Sequence, residues 1–206
     1  METKARILWE ALELFSSKGY KGVSVRDIAG AVGIRESSLY NHFKGKREIF
    51  QSIVDICLEK AEEYYRGKSL PFSPEEDLSP FDQVGGGLEQ TLLNTFRFFF
   101  EDPWNRRFRR LLTVSQFEDP RSRELYRWLY CQYPMEIQAA VFRRLVKAGH
   151  MKNRDPEALA LEFYGAVHLL LSTRDSWEEA EGPLLTHIQL FVEQNLLENR
   201  EEPYRI

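Results

Sequence analysis

Residues 24–50 read SVRDIAGAVGIRESSLYNHFKGKREIF, and the fold is decided by how this stretch divides into helices. Ser24 precedes an apolar run and has Asp27 three residues on, the spacing of a reciprocal helix cap. Val25, Ile28, Ala29 and Val32 then recur at helical spacing, and Gly33 stops the run. A second short helix is expected from about Arg35 to His42, with Leu39, the one large aliphatic residue among polar ones, facing inward. Gly45 separates it from a long helix over about 46–66, built on Ile49, Phe50, Ile53, Val54, Cys57 and Ala61.

Upstream, Ile7, Leu8, Ala11, Leu12 and Phe15 fall on one face of a first helix over residues 4–18, closed by Gly19. Two short helices hinged near Gly33 have helix-turn-helix dimensions, in which the second helix enters the DNA major groove. Its outer side carries Glu36, Ser37, Ser38, Asn41 and His42. Serines keep that surface low, Asn and Ser pair with base edges, and Glu accepts from cytosine. Tyr40, His42, Lys44 and Lys46 suit phosphates, which supply affinity and register.

Residues 4–50, through the run ILWEALELFSSKGYKGVSVRDIAGAVGIRESSLYNHFKGKREIF, resemble the DNA-binding head of the TetR family of transcriptional regulators. The matching pieces are Phe15, Gly19-Tyr20, Ser24 to Ala29, Val32-Gly33-Ile34, Leu39 to Phe43, and Lys44, Lys46 and Glu48. The resemblance implies phosphate contacts from Ser24 and Arg26, backbone contacts from Tyr40 and His42, and anchoring of the fourth helix by Lys44 and Lys46. Two positions depart from the family pattern. Val23 replaces a common threonine, and Arg35 replaces a capping Ser or Thr and becomes a candidate base or phosphate contact.

Charge agrees with a head that meets a polyanion. The chain carries a formal net charge of -4, yet residues 1–50 hold nine Lys or Arg against six Asp or Glu. The remainder holds nineteen against twenty-six. No long apolar run predicts a membrane span, and the start METKARILWEALELF lacks the pattern of a signal peptide. The expectation is a cytoplasmic protein whose two cysteines, Cys57 and Cys131, are buried thiols.

Beyond residue 66, GKSLPFSPEEDLS (67–79) reads as a loop, and Pro-marked starts predict helices over about 80–101, 103–117, 120–148 and 156–173. A last helix is expected over 180–199. Pro134 predicts a kink within 120–148, Gly85-Gly86-Gly87 blurs the start of the 80–101 helix, and the tail EEPYRI is expected to fray. The fold class is all-α: residues 1–47 form the helix-turn-helix domain, and residues 48–206 a helical ligand-binding and dimerisation domain.

A dimer follows from the small reach of one recognition helix, since two heads about 34–36 Å apart read a palindromic operator. The expected interface is Leu159, Phe163, Val167, Leu170, Leu184, Ile188, Phe191 and Val192, from two helices that are apolar on more than one face. The aromatic-rich segment offers an effector cavity for a small apolar or aromatic molecule. Its candidate residues are Phe96, Phe100, Trp104, Phe108, Gln116, Tyr126, Tyr130, Tyr133 and His168. Arg106, Arg107, Arg109 and Arg110 read either as a cluster that favours an anionic ligand or head group or, the preferred reading, as a solvated face paired with Glu101, Asp102 and Glu118. In the expected mechanism, effector binding favours a state whose head spacing no longer fits DNA. The alternatives are a ligand-sensing dimer that acts through a protein partner and an all-helical enzyme. The sequence has no Ser-His-Asp arrangement, phosphate loop or zinc spacing, and no cofactor is implied.

Overall fold

The computed structural model describes residues 2–82 and 87–197. They form ten α-helices, whose order is α1 Thr3–Lys18, α2 Val25–Val32, α3 Glu36–Tyr40, α4 Lys46–Gly67, α5 Gly87–Glu101, α6 Pro103–Ser115, α7 Pro120–Arg127, α8 Tyr133–Lys147, α9 Pro156–Thr173 and α10 Trp177–Asn195. A 3₁₀ turn, Ser79–Asp82, and a π turn, Trp128–Gln132, complete the helical structure. The all-α expectation holds. The β structure among the described residues is one isolated antiparallel bridge, Met151 to Leu196.

Capping chemistry sets several boundaries. The Gly19 amide donates to the Phe15 carbonyl at 2.9 Å with φ 73°, a conformation that glycine adopts without steric cost. Asp102, Asp119 and Asp155 each accept a backbone N–H three residues on and precede a proline at the first helical position. That proline loses nothing, because its missing N–H would have had no helical partner.

Other boundaries differ from expectation. The helix expected from residue 80 begins at Gly87, and Ser79-Pro80 opens the 3₁₀ turn instead. Gly85 and Gly86, like the tail EEPYRI, lie outside the described residues. α6 ends at Ser115 rather than 117. The run 120–148 is split, with the π turn between α7 and α8 and Pro134 in the first turn of α8. α10 starts three residues earlier than expected, because Ser176 caps it by accepting from the Glu179 amide and buried Trp177 opens it.

The helices assort into two compact units, Met1–Tyr64 with Phe98–Tyr130, and Tyr65–Arg97 with Cys131–Ile206. In the first, α1 packs on α2 and α6, α2 on α3, and α6 on α7. The stripe of Ile7, Leu8, Ala11, Leu12 and Phe15 is buried with Phe108, Leu111 and Leu112 of α6. Trp9 meets Trp104 edge-on, with centroids 5.4 Å apart. Arg107 pairs with Glu13 and lies over the Trp9 ring at 4.5 Å, so its partner comes from α1 and not from the neighbouring acids expected. Asp102 is paired with Lys60 at 3.0 Å. Arg109 is buried, with its guanidinium over the Phe100 ring, so the arginine cluster is not one solvated face. Cys57 is a buried free thiol whose surroundings push its pKa up, and Cys131 is half-buried.

In the second unit, α9 packs between α8 and α10. Phe142, Phe163 and Phe191 form a ring cluster with centroids 4.9 to 5.7 Å apart. His187 stacks on Phe163 and its Nε2 lies 2.9 Å from the Phe163 carbonyl. This corrects the expected dimer face. Leu159, Phe163, Val167, Leu184, Ile188 and Phe191 are buried inside the protomer, and Leu170 and Val192 are half-buried. The exposed leucines of these helices are Leu161 at 65%, Leu169 at 61% and Leu190 at 50%. No helix of the described residues is long and apolar enough to cross a membrane.

Candidate nucleic-acid interface

The interface begins with the cap of α2. The Ser24 hydroxyl accepts from the Asp27 amide at 3.1 Å, and Asp27 Oδ2 accepts from the Ser24 amide at 2.8 Å and from its hydroxyl at 2.6 Å. These bonds hold the Asp27 carboxyl below the usual carboxylate range. At the other end, Gly33 adopts φ 74°, and Arg6 donates to the Val32 carbonyl, so a basic side chain of α1 meets the negative end of α2.

α3 follows as five residues, Glu36–Tyr40, shorter than the eight expected, and Arg35 takes the cap position without a side-chain cap bond. Its packing anchors are Leu39, fully buried, and Phe43, with Lys4 over the Phe43 ring at 5.5 Å. Above them Arg35, Glu36, Ser37, Tyr40, Asn41 and His42 are exposed and Ser38 is half-buried. Tyr40 leaves 51% of its surface open. Arg26 and Lys44 are exposed beside them. Of the residues expected to meet DNA, Ser38 and Lys46 are half-buried and the others are exposed.

Two positions behave differently from the rest. Val23 is buried in the core, so the departure from threonine places an apolar side chain inside the head. Lys46, the implied phosphate anchor, donates to the carbonyls of Tyr20 at 2.8 Å and Val23 at 2.7 Å, and lies 4.4 Å from the Tyr20 ring centroid. Burial lowers its pKa, with Asp119 acting in the opposite direction. Lys46 therefore staples the turn between α1 and α2 to the start of α4. The same turn is held from α6, where the buried Ser115 hydroxyl accepts from the Tyr20 amide at 2.9 Å. Sequence spacing carried no sign of the Ser115 contact, which joins positions 95 residues apart.

The nine candidate effector residues are divided between the two units. Phe100, Trp104, Phe108, Gln116, Tyr126 and Tyr130 belong to the unit that carries the head, and Phe96, Tyr133 and His168 to the other. Phe108 and Tyr130 are members of the head's buried core, against which Trp104 and Tyr126 pack. Phe96 packs on Phe163 and Tyr164, and the Tyr133 hydroxyl donates to the Phe72 carbonyl. Gln138, absent from the expected set, is buried, and its Oε1 accepts no hydrogen bond among the described residues.

Residues 7–53 match the family described as bacterial regulatory proteins, tetR family. The chain is 29% identical over 174 residues to the biofilm operon icaADBC HTH-type negative transcriptional regulator IcaR of Staphylococcus epidermidis, which spans 84% of this chain and 81% of that one. The IcaR of Staphylococcus aureus is 43% identical over 56 residues, only 27% of this chain and 30% of that protein. Among solved structures, SmeT in complex with triclosan superimposes with a TM-score of 0.68 at 16% identity, covering 97% of this chain and 94% of that one. SmeT is the repressor of the Stenotrophomonas maltophilia multidrug efflux pump SmeDEF.

Proposed function

We propose that this chain, a TetR-family transcriptional regulator, is a repressor that binds a palindromic operator as a homodimer and is released by a small apolar or aromatic effector. The observation that carries the reading is the surface of α3. Ser37, Tyr40, Asn41 and His42 stand exposed above Leu39 and Phe43, which lock the helix to the head. Polar groups presented from a packed helix are what base-edge and phosphate recognition require. Repression is supported by the negative regulator IcaR, similar over most of both chains.

Functionally the division lies between a DNA-binding segment, residues 1–47, and a segment for effector and dimer, residues 48–206. The partner face in this reading is the exposed side of α9 and α10. Leu161 and Leu169 bracket Gly165 at four-residue steps, and Gly182, Thr186 and Leu190 repeat that step on α10. An exposed leucine row on two helices suits an isologous helix-to-helix contact.

For the effector, Gln138 is the informative residue. A buried acceptor without a partner costs about 1–3 kcal/mol. A ligand that brings one donor among apolar surface recovers that cost, and Phe96, Tyr133 and His168 belong to the same unit. SmeT's complex with triclosan supports an aromatic ligand. The effector acts through its differential affinity for two states of the dimer, one spaced for DNA and one not.

Selection of bound duplexes from a random pool, with wild type and Tyr40→Ala in parallel, tests the reading. A palindromic motif enriched by the wild type and lost in the variant is expected. No enrichment from folded dimer removes the operator from the proposal and favours action through a protein partner.

A further inference from the structure

Beside the recognition surface the first unit has a groove of about 540 Å³ lined by Lys44, Gly45, Arg47, Glu48, Gln51 and Arg121. We propose that this groove seats a backbone phosphate of the operator flanking the bases that α3 reads, with Arg121 as a DNA contact supplied from α7. The inference rests on the DNA-binding reading and extends it to a residue far outside the segment 7–53 that matches the family.

The charge in the groove is uneven. Lys44, Arg47 and Arg121 stand against Glu48, and Glu48 Oε2 is engaged by the Lys44 amide at 2.5 Å. The cation expected to serve this phosphate, Lys46, is committed to two carbonyls and the Tyr20 ring. The groove cations are differently placed. Lys44 and Arg47 are exposed. Arg121 is held in place by the head itself: it donates to Gln51 Oε1 and lies 5.5 Å from the Phe50 ring centroid. Gln51 in turn donates to Asp55 at 2.7 Å. That bond to Gln51 uses one of the five N–H donors of a guanidinium, and the fork suits a phosphate oxygen pair.

Position argues for DNA over a free anion. Lys44 closes the row that starts at Tyr40 and His42, so the groove opens where the recognition surface ends. An open groove with a small excess of positive charge holds a small anion weakly in water, because salt screens it. A phosphate delivered by the other contacts of a docked duplex arrives at high effective concentration and needs no deep pocket.

The test is the salt dependence of binding to one fixed duplex, for wild type, Arg121→Gln and Arg121→Lys, between about 50 and 200 mM NaCl. Arg121→Gln is expected to flatten the slope of log K against log salt by about 0.9, the signature of one lost phosphate contact. It should weaken operator and unrelated duplexes by the same factor, since a phosphate contact carries no sequence information. Arg121→Lys should keep the slope. An unchanged slope in Arg121→Gln overturns the inference while the DNA-binding reading stands. Equal loss in both variants with a fall in Tm also overturns it, by assigning Arg121 to folding. Calorimetric binding of inorganic phosphate that needs Arg121, alongside an unchanged slope, makes the groove a small-anion site instead. A wild type that binds no duplex at any salt removes both readings.

Discussion

The outer surface of α3 and the outer surfaces of α9 and α10 are built by opposite rules. α3 presents polar groups and hides its one leucine, and its five residues are held by Leu39 with help from Phe43. α9 and α10 bury a full apolar stripe and then expose further leucines on the other side. A surface that meets phosphates and base edges gains from exposed donors and acceptors. A surface that meets its own copy gains from apolar area removed from water. The difference teaches that exposure has to be read with residue type: Tyr40 and Leu161 are both open, but one offers a hydroxyl and the other only apolar area.

The largest expected effect tests the anchor side of that comparison. Leu39→Ala should cost about 2–5 kcal/mol of stability, the range for truncating a fully buried leucine. Urea unfolding followed by tryptophan fluorescence measures it, and a cost well under 1 kcal/mol would mean that α3 is not held as described. Next, Leu161→Glu combined with Leu190→Glu should weaken self-association by about 2 kcal/mol or more, the scale of interface hot spots. Sedimentation equilibrium reads this out. If Leu159→Ala weakens association more at equal folding, the comparison breaks, and the buried stripe would be the partner face after all.

Tyr40→Ala should leave stability within about 0.5 kcal/mol, as for surface substitutions. It should lower DNA affinity roughly tenfold, the worth of one charge-assisted hydrogen bond. Unfolding and anisotropy titrations run on the same preparation separate the two. The smallest effect is at the cap, where Ser24→Ala should cost about 1 kcal/mol. The bonds from Ser24 lower the folded pKa of Asp27, so their stabilisation is present above the ordinary carboxylate pKa and is lost as pH falls through the folded value. Acid unfolding of Ser24→Ala should therefore lack this contribution, and an acid profile identical to wild type would discount the cap.

Much of the head was legible because its signals are local. Ser24 and Asp27 are three residues apart, Gly19 and Gly33 sit where helices stop, and Leu39 stands alone among polar neighbours. What α6 does for the head was not legible. The pairings of Arg107 with Glu13 and of Ser115 with Tyr20 each span more than 90 residues and leave no periodic trace. The inward faces of α9 and α10 were ambiguous for another reason. When a helix is apolar on more than one side, spacing identifies the stripes but not which one the protomer itself covers. The intramolecular partners of Lys46 were hidden for a third reason, since a lysine beside a glycine turn reads as a surface charge until its carbonyl partners are seen.

The discontinuous make-up of the first unit has a consequence for the nascent chain. α1 to α4 leave the ribosome well before α6 and α7, which supply Phe108, Leu112, Ser115 and Arg121 to the same unit. At about 5–20 residues per second, that gap leaves the stripe of α1 waiting several seconds for its cover. During that interval the head is open to chaperones and proteases, and an arrest of synthesis before α6 would leave a fragment that carries α3 without the support of α6 and α7.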